Sequence, residues 1–283
     1  MGRSVSVTAQ ILSAVITPPL RRFVALAAAA LVLGACGSGS SGAGPADPSG
    51  SPFVQDDVVA RHASQFDGPL VDRPAGSQQE FAAATYILGH LQRAGYVPLL
   101  DPVPVEDTIR STNVVAAPPR ASAPSIVVVV AYDSPPGARP SGTTLGLWLE
   151  LARALYARAA HNSVEFVALG AERTPVGEGQ LGARRLIEFL REDDLSPLVV
   201  SLTSIEQSER TIAAAGEGSE EVEAIARRLG VGVDAPPSPT REAALFGRAG
   251  LSYLVVSGGA EEVGRVLLDY LVGSTEASQA PSL

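Results

Sequence analysis

Residues 125–130 read Ser-Ile-Val-Val-Val-Val, with five successive β-branched side chains and nothing polar after the serine. A strand with one wet face alternates apolar and polar residues, whereas an unbroken branched run suits a strand covered on both faces. The rest of the chain must then supply an apolar layer on each side of a sheet. Downstream, helical periodicity over Leu145–Ala159 is followed by a strand at Val164–Leu169, a helix at Ala183–Arg191 and a strand at Leu198–Leu202. A strand at Thr211–Ala214, a helix at Glu220–Leu229, a strand at Leu251–Val256 and a helix at Glu261–Leu271 complete the series. Strands alternating with helices of this length predict an α/β fold, a three-layer αβα sandwich with a mostly parallel, mixed central sheet.

Upstream, helices are expected at Asp56–Phe66 and Ser77–Arg93. The second opens on Ser77-Gln78-Gln79-Glu80, the spacing of a capping box, and Phe81, Tyr86, Ile87 and Leu91 can share one of its faces. Short β-type runs follow at Val97–Leu100 and Thr112–Ala116, and the proline-rich stretches Pro118–Pro124 and Gly230–Pro239 read as loops. The folded domain is expected over 53–275, with a disordered tail at 276–283.

The N-terminus carries a different signal. No acidic residue precedes Asp47, and Arg3, Arg21 and Arg22 lead into an apolar run of 11 residues, Phe23–Leu33. That is too short for the roughly 20 residues of a spanning helix, but it fits the h-region of an export signal. The run ends at Leu33-Gly34-Ala35-Cys36, which resembles the bacterial lipobox. The resemblance implies cleavage of residues 1–35, lipid on Cys36, and a protein anchored to the outer face of the cell membrane in the cell envelope. An ordinary cleavage site beside an incidental cysteine is the alternative. Because Cys36 is the only cysteine, no disulfide framework accounts for it. Arg21-Arg22-Phe23 hints at twin-arginine export, in a poorly matching context. Residues 36–52, almost all Gly, Ser, Pro and Ala after the cysteine, read as a flexible tether.

Removing the three leader arginines from 21 basic residues leaves 18 against 30 acids, a formal charge of −12. Such a chain does not suit nucleic acid as a partner. It contains no Gly-x-Ser-x-Gly elbow, His-Glu-x-x-His, phosphate loop or strand-linked Gly-x-Gly-x-x-Gly, and without lysine no Ser-x-x-Lys dyad.

Several segments, in order, resemble the di-zinc aminopeptidases of the aminopeptidase Y type, metallopeptidase family twenty-eight. They are Arg73-Pro74-Ala75-Gly76-Ser77, Thr112–Ala116, Ile126–Ser134, Pro136-Gly137-Ala138, Leu149–Arg153, Val164–Glu172 and Phe246–Leu251. The resemblance spans about Val58 to Val256. It implies a zinc-exopeptidase-like fold in which two zinc ions sit at the carboxyl ends of sheet strands, held by histidines and carboxylates beside a glutamate general base.

At the matching positions the ligands are largely missing. Ala131 stands where the family's first histidine is expected, while Asp133, which orients that histidine in the family, is retained. Pro140 matches the bridging aspartate. Glu172 matches the general base, and Arg173, a permanent cation, replaces the next metal ligand. Ser204 matches a further aspartate and Ala243 the last histidine. The only histidines, His62, His90 and His161, fall elsewhere, where solvated or capping roles are expected. No zinc cofactor is therefore expected.

Two readings of Arg173 stay open: an ion pair with Asp133 and Glu172 that stabilises a dead pocket, or a grip on the carboxylate of a bound peptide, with Glu242 as a second candidate contact. The function expected first is a catalytically inactive, metal-free envelope lipoprotein that binds a peptide or protein. A hydrolase holding one metal on Asp133, Glu172 and Glu242 is the second, and a structural envelope lipoprotein the third.

Overall fold

The computed structural model describes residues 51–117, 123–138, 142–206, 212–217 and 241–279, with Glu223 and Arg227. All lie in one compact unit, Asp47–Leu283. Seven strands form one sheet: β1 (Leu99–Pro104), β2 (Arg110–Ala116), β3 (Ile126–Ala131), β4 (Val164–Leu169), β5 (Leu198–Glu206), β6 (Ile212–Glu217) and β7 (Tyr253–Gly259), in the order β1-β2-β4-β3-β5-β7-β6. β4, β3, β5 and β7 run parallel, and β1 points the same way through two antiparallel pairings, so five strands share a direction. β2 and β6 run against them.

The apolar run of residues 126–130 is the middle of this sheet. Ile126, Val128 and Val130 face one apolar cluster with α1 (Asp56–Phe66), α2 (Gln78–Ala94), α3 (Gly142–Ala157) and α6 (Ala260–Gln279). Val127 and Val129 face a second cluster with α4 (Leu181–Glu192) and α5 (Arg241–Arg248). The expected three layers follow directly from that alternation. Trp148, fully buried, donates from Nε1 to the Val128 carbonyl at 3.0 Å and pins α3 to the sheet centre.

Local differences from expectation have physical causes. Val97 is 81% exposed, and the first strand begins two residues later. It contains Pro102 and Pro104, which an edge strand tolerates because only one side of it is paired. Phe81 is 66% exposed, because Glu80 takes the inward position at the start of α2 and Phe81 lies about 100° around the helix from it. α6 continues helical to Gln279, beyond both the expected helix end and the 275 boundary. Thr275 is buried there, with its hydroxyl on the Ala160 carbonyl at 2.8 Å. The expected helix at Glu220–Leu229 and the loop at Gly230–Pro239 lie outside the described residues, apart from Glu223 and Arg227. No described helix is long and apolar enough to cross a membrane.

The tether boundary also moves. Arg153 on α3 donates to the Ser51 and Phe53 carbonyls, each at 2.6 Å, and Arg158 donates to the Pro52 carbonyl at 2.6 Å and lies over the Phe53 ring. Ser51 and Pro52, assigned by composition to the tether, are therefore strapped to the domain.

Candidate functional site

β3 and β4 end side by side, and the loops leaving them bring together Ala131, Asp133, Glu172 and Arg173. Ala131 closes β3 at 9% exposure, a methyl group where the family resemblance places an imidazole. Two residues on, the buried Asp133 carboxylate accepts the main-chain N–H of Arg173 at 2.8 Å and so ties the two loops together. Burial pushes the Asp133 carboxyl up from its ordinary range, against the opposing pull of the Arg173 amide and of the Arg173 and Arg73 charges.

Glu172 is reached through Ala171, whose φ of +52° is left-handed, a conformation that costs a non-glycine residue on the order of 1 kcal/mol. The turn is held by hydrogen bonds from Leu181 N to the Ala171 carbonyl (3.2 Å) and from Gln180 N to the Glu172 carbonyl (3.0 Å). Beyond it, the buried Glu172 carboxylate accepts the Ala183 N–H. The N-cap of α4, Gln180, makes no side-chain capping bond, so Glu172, from the loop that leads into the helix, supplies the acceptor and negative charge that a helix N-terminus favours. Close approach is required here. A Cβ on Gly182 would lie 2.4 Å from the Gly170 carbonyl oxygen and 2.6 Å from Asn113 Oδ1. Gly182→Ala is expected to lower the unfolding midpoint and to release the Asn113 Nδ2 bond to the residue-182 carbonyl, read by urea unfolding and amide hydrogen exchange.

Arg173 does act on Asp133 through its charge, as expected, but without a close ion-pair contact. Its link to Asp133 is the backbone amide, and among the described residues its half-buried guanidinium has no carboxylate within 4 Å. Ser204 is exposed, at φ +48° in the bulge where β5 shifts register between Leu202 and Ile205. Glu242 and Ala243 start α5, and their side chains lie outside the described residues. Pro140 also lies outside them.

Two further residues, Glu80 and Arg73, help to build the site. Glu80, 2% exposed, accepts from the Gly76 amide on one oxygen and from the Ser111 hydroxyl and the Ala171 amide on the other, bridging α2, β2 and the left-handed turn before Glu172. Burial raises its carboxyl, and the charge of Asp133 adds to the rise. Arg73, 1% exposed, spends its guanidinium on the carbonyls of Tyr132, Phe66, Leu70 and Val71, and its main chain bridges Ser134. Burial, then the charge of Arg173, bring it down to about 10. Sequence marked both residues, in the capping box and the Arg-Pro-Ala-Gly-Ser segment, without showing that they converge. A cleft of about 290 Å³ opens beside Glu80 and Tyr132, walled by Phe81, Ala84 and Leu100 with Arg110 at its edge.

The histidines are not solvated caps, contrary to expectation for His62 and His161. His62 on α1 is buried, with Nδ1 2.8 Å from the Tyr86 hydroxyl and its ring 4.5 Å from that of His90 on α2. His161, buried at the opposite, amino end of β4, stacks on Tyr156 at 4.1 Å. Burial, then the neighbouring His90, bring His62 from 6.5 to about 3. A histidine held neutral this way contributes stability that is complete above its unfolded value and declines as pH falls below it. The His62 ring-carbon NMR shifts are expected to stay flat from pH 8 to pH 5, and titration near pH 6.5 would contradict the packing.

Among the described residues no three His, Cys, Asp or Glu side chains are grouped to hold a metal ion. A methyl and a guanidinium stand at two positions where the family resemblance places ligands, and the carboxylates of Asp133 and Glu172 each accept a main-chain amide. These residues do not fit a two-zinc centre.

No protein-family profile matches the chain, and no curated protein sequence does. Solved structures do match. An aminopeptidase, LapA, from Legionella pneumophila is 13% identical over 81% of this chain and 72% of its own, with a TM-score of 0.64. BSAP, a zinc aminopeptidase from Bacillus subtilis, is 13% identical over 81% and 97%, with a TM-score of 0.62. A glutaminyl cyclase from Tannerella forsythia is 16% identical over 80% and 98%, with a TM-score of 0.58. At these identities the likeness establishes a zinc-exopeptidase-like fold.

Proposed function

We propose that this protein is a metal-free, non-catalytic relative of the zinc aminopeptidases, tethered by lipid on Cys36 to the outer face of the cell membrane, where it binds a peptide or protein of the cell envelope. The observation that carries this is the position of Glu172. The carboxylate that would serve as general base is buried against the N-terminus of α4, and Ala131 and Arg173 stand at positions where the family resemblance calls for ligands. A base so engaged, without a polarised water or an oxyanion stabiliser, supplies little of the barrier reduction that peptide hydrolysis requires. Near such a site a fixed guanidinium also opposes a divalent cation by direct repulsion.

The test is metal analysis of the purified domain together with release from aminoacyl anilides. The expected result is zinc far below one equivalent and no chelator-sensitive turnover. Near-stoichiometric zinc with turnover that a chelator abolishes would overturn the proposal. Lipid attachment is read separately, as incorporation of labelled fatty acid that Cys36→Ser abolishes.

A further inference from the structure

We propose that the site at the carboxyl ends of β3 and β4 has the opposite polarity to an aminopeptidase site: it captures a carboxylate on the Arg173 guanidinium instead of an amine on carboxylates. This deepens the non-catalytic reading above and rests on it.

Charged groups at the site differ in what a ligand can reach. Asp133, Glu172, Glu80 and Arg73 are all buried, and each is engaged by the main chain: Asp133 by the Arg173 amide, Glu172 by the Ala183 amide, Glu80 by two amides and a hydroxyl, Arg73 by four carbonyls. Arg173 alone among them is only half-buried, and among the described residues its side chain has no ion-pair partner within 4 Å. An incoming peptide therefore meets a cation, whereas recognition of a free amino terminus needs an accessible anion. The planar fork of a guanidinium matches the two oxygens of a carboxylate, and half-burial strengthens that pairing over one in open water. The backbone of Arg173 is already fixed by Asp133, so less freedom is lost when the side chain closes on a ligand.

The carboxylate can come from a peptide C-terminus, an acidic side chain or a small free acid, and calorimetric titration of the intact domain separates these sources. The probes are the tripeptide Ala-Leu-Ala with free ends, its N-acetyl and C-amide forms, the doubly blocked Ala-Glu-Ala, and sodium acetate. Equal binding of the free and N-acetylated peptides, with at least a tenfold loss on C-amidation, identifies the C-terminus. Binding of the doubly blocked glutamate peptide identifies the acidic side chain, and acetate as tight as any peptide identifies the free acid. All three results support carboxylate capture when Arg173→Met abolishes binding and Arg173→Lys retains part of it, both variants keeping the wild-type unfolding midpoint. Binding that needs a free amine, binding unchanged in Arg173→Met, or no binding of any probe overturns the proposal. Amine-dependent binding without turnover would defeat this inference and leave the non-catalytic reading standing, whereas chelator-sensitive turnover would defeat that reading itself.

Discussion

Glu80→Ala is expected to destabilise the domain by about 3–5 kcal/mol, read by urea unfolding near pH 7. Three donors converge on this carboxylate, the amides of Gly76 and Ala171 and the hydroxyl of Ser111, and all three are left facing a void. Each buried donor stranded in this way costs about 1–3 kcal/mol, and loss of the packed side chain adds to the total. A counter-term exists. Burial raises the Glu80 carboxyl, so the folded state disfavours its ionised form, and the group's contribution improves as pH falls through its raised folded value. The hydrogen bonds outweigh that term because the two amides still find an acceptor oxygen when the carboxyl is protonated. Glu80→Gln should cost roughly half as much, since its carbonyl oxygen can still accept from Ser111 and Ala171 while its NH2 group faces the Gly76 amide donor to donor. A loss under about 1 kcal/mol in the alanine variant would mean the convergence on Glu80 carries no stability.

Glu80 also shows what was and was not legible in the sequence. The Ser77-to-Glu80 spacing announces a helix start, and Ser77 Oγ does accept the Glu80 amide at 3.0 Å. Nothing in that local pattern says that the Glu80 side chain turns inward to β2 and the loop after β4, because those partners lie 31 and 91 residues away. Periodicity placed β4 at its observed bounds and β3 within a residue, since burial on two faces imprints itself on consecutive side chains. That Ala131 carries no metal-binding atom and Arg173 a permanent cation was equally legible, because both are properties of the residue itself. The engagement of Asp133 and Glu172 was not. Both bind main-chain amides, which every residue type except proline carries, so no choice of side chain advertises the contact. His62 and His90 were separated by the same blindness to packing between α1 and α2.

Arg153→Ala is expected to cost about 3–5 kcal/mol, because it strands the charge of Glu150. The two form a buried ion pair at 2.9 Å one turn apart on α3, and Glu150 also accepts the Gln55 amide at 3.2 Å. Removing one member of a buried pair leaves an uncompensated charge, the expensive outcome, whereas replacing both with apolar groups of similar volume is often close to neutral. The double variant Glu150→Leu/Arg153→Met is therefore expected to recover most of the loss, although it also gives up the two carbonyl bonds to Ser51 and Phe53 and the acceptor for the Gln55 amide. Those carbonyls lie near the surface and regain water, so their loss is cheap in global stability. It should appear locally instead, as faster hydrogen exchange and proteolysis around residues 51–55 with the rest of the domain protected. A double variant no more stable than Arg153→Ala would show that the strap, and not the buried charge, holds this edge of the fold.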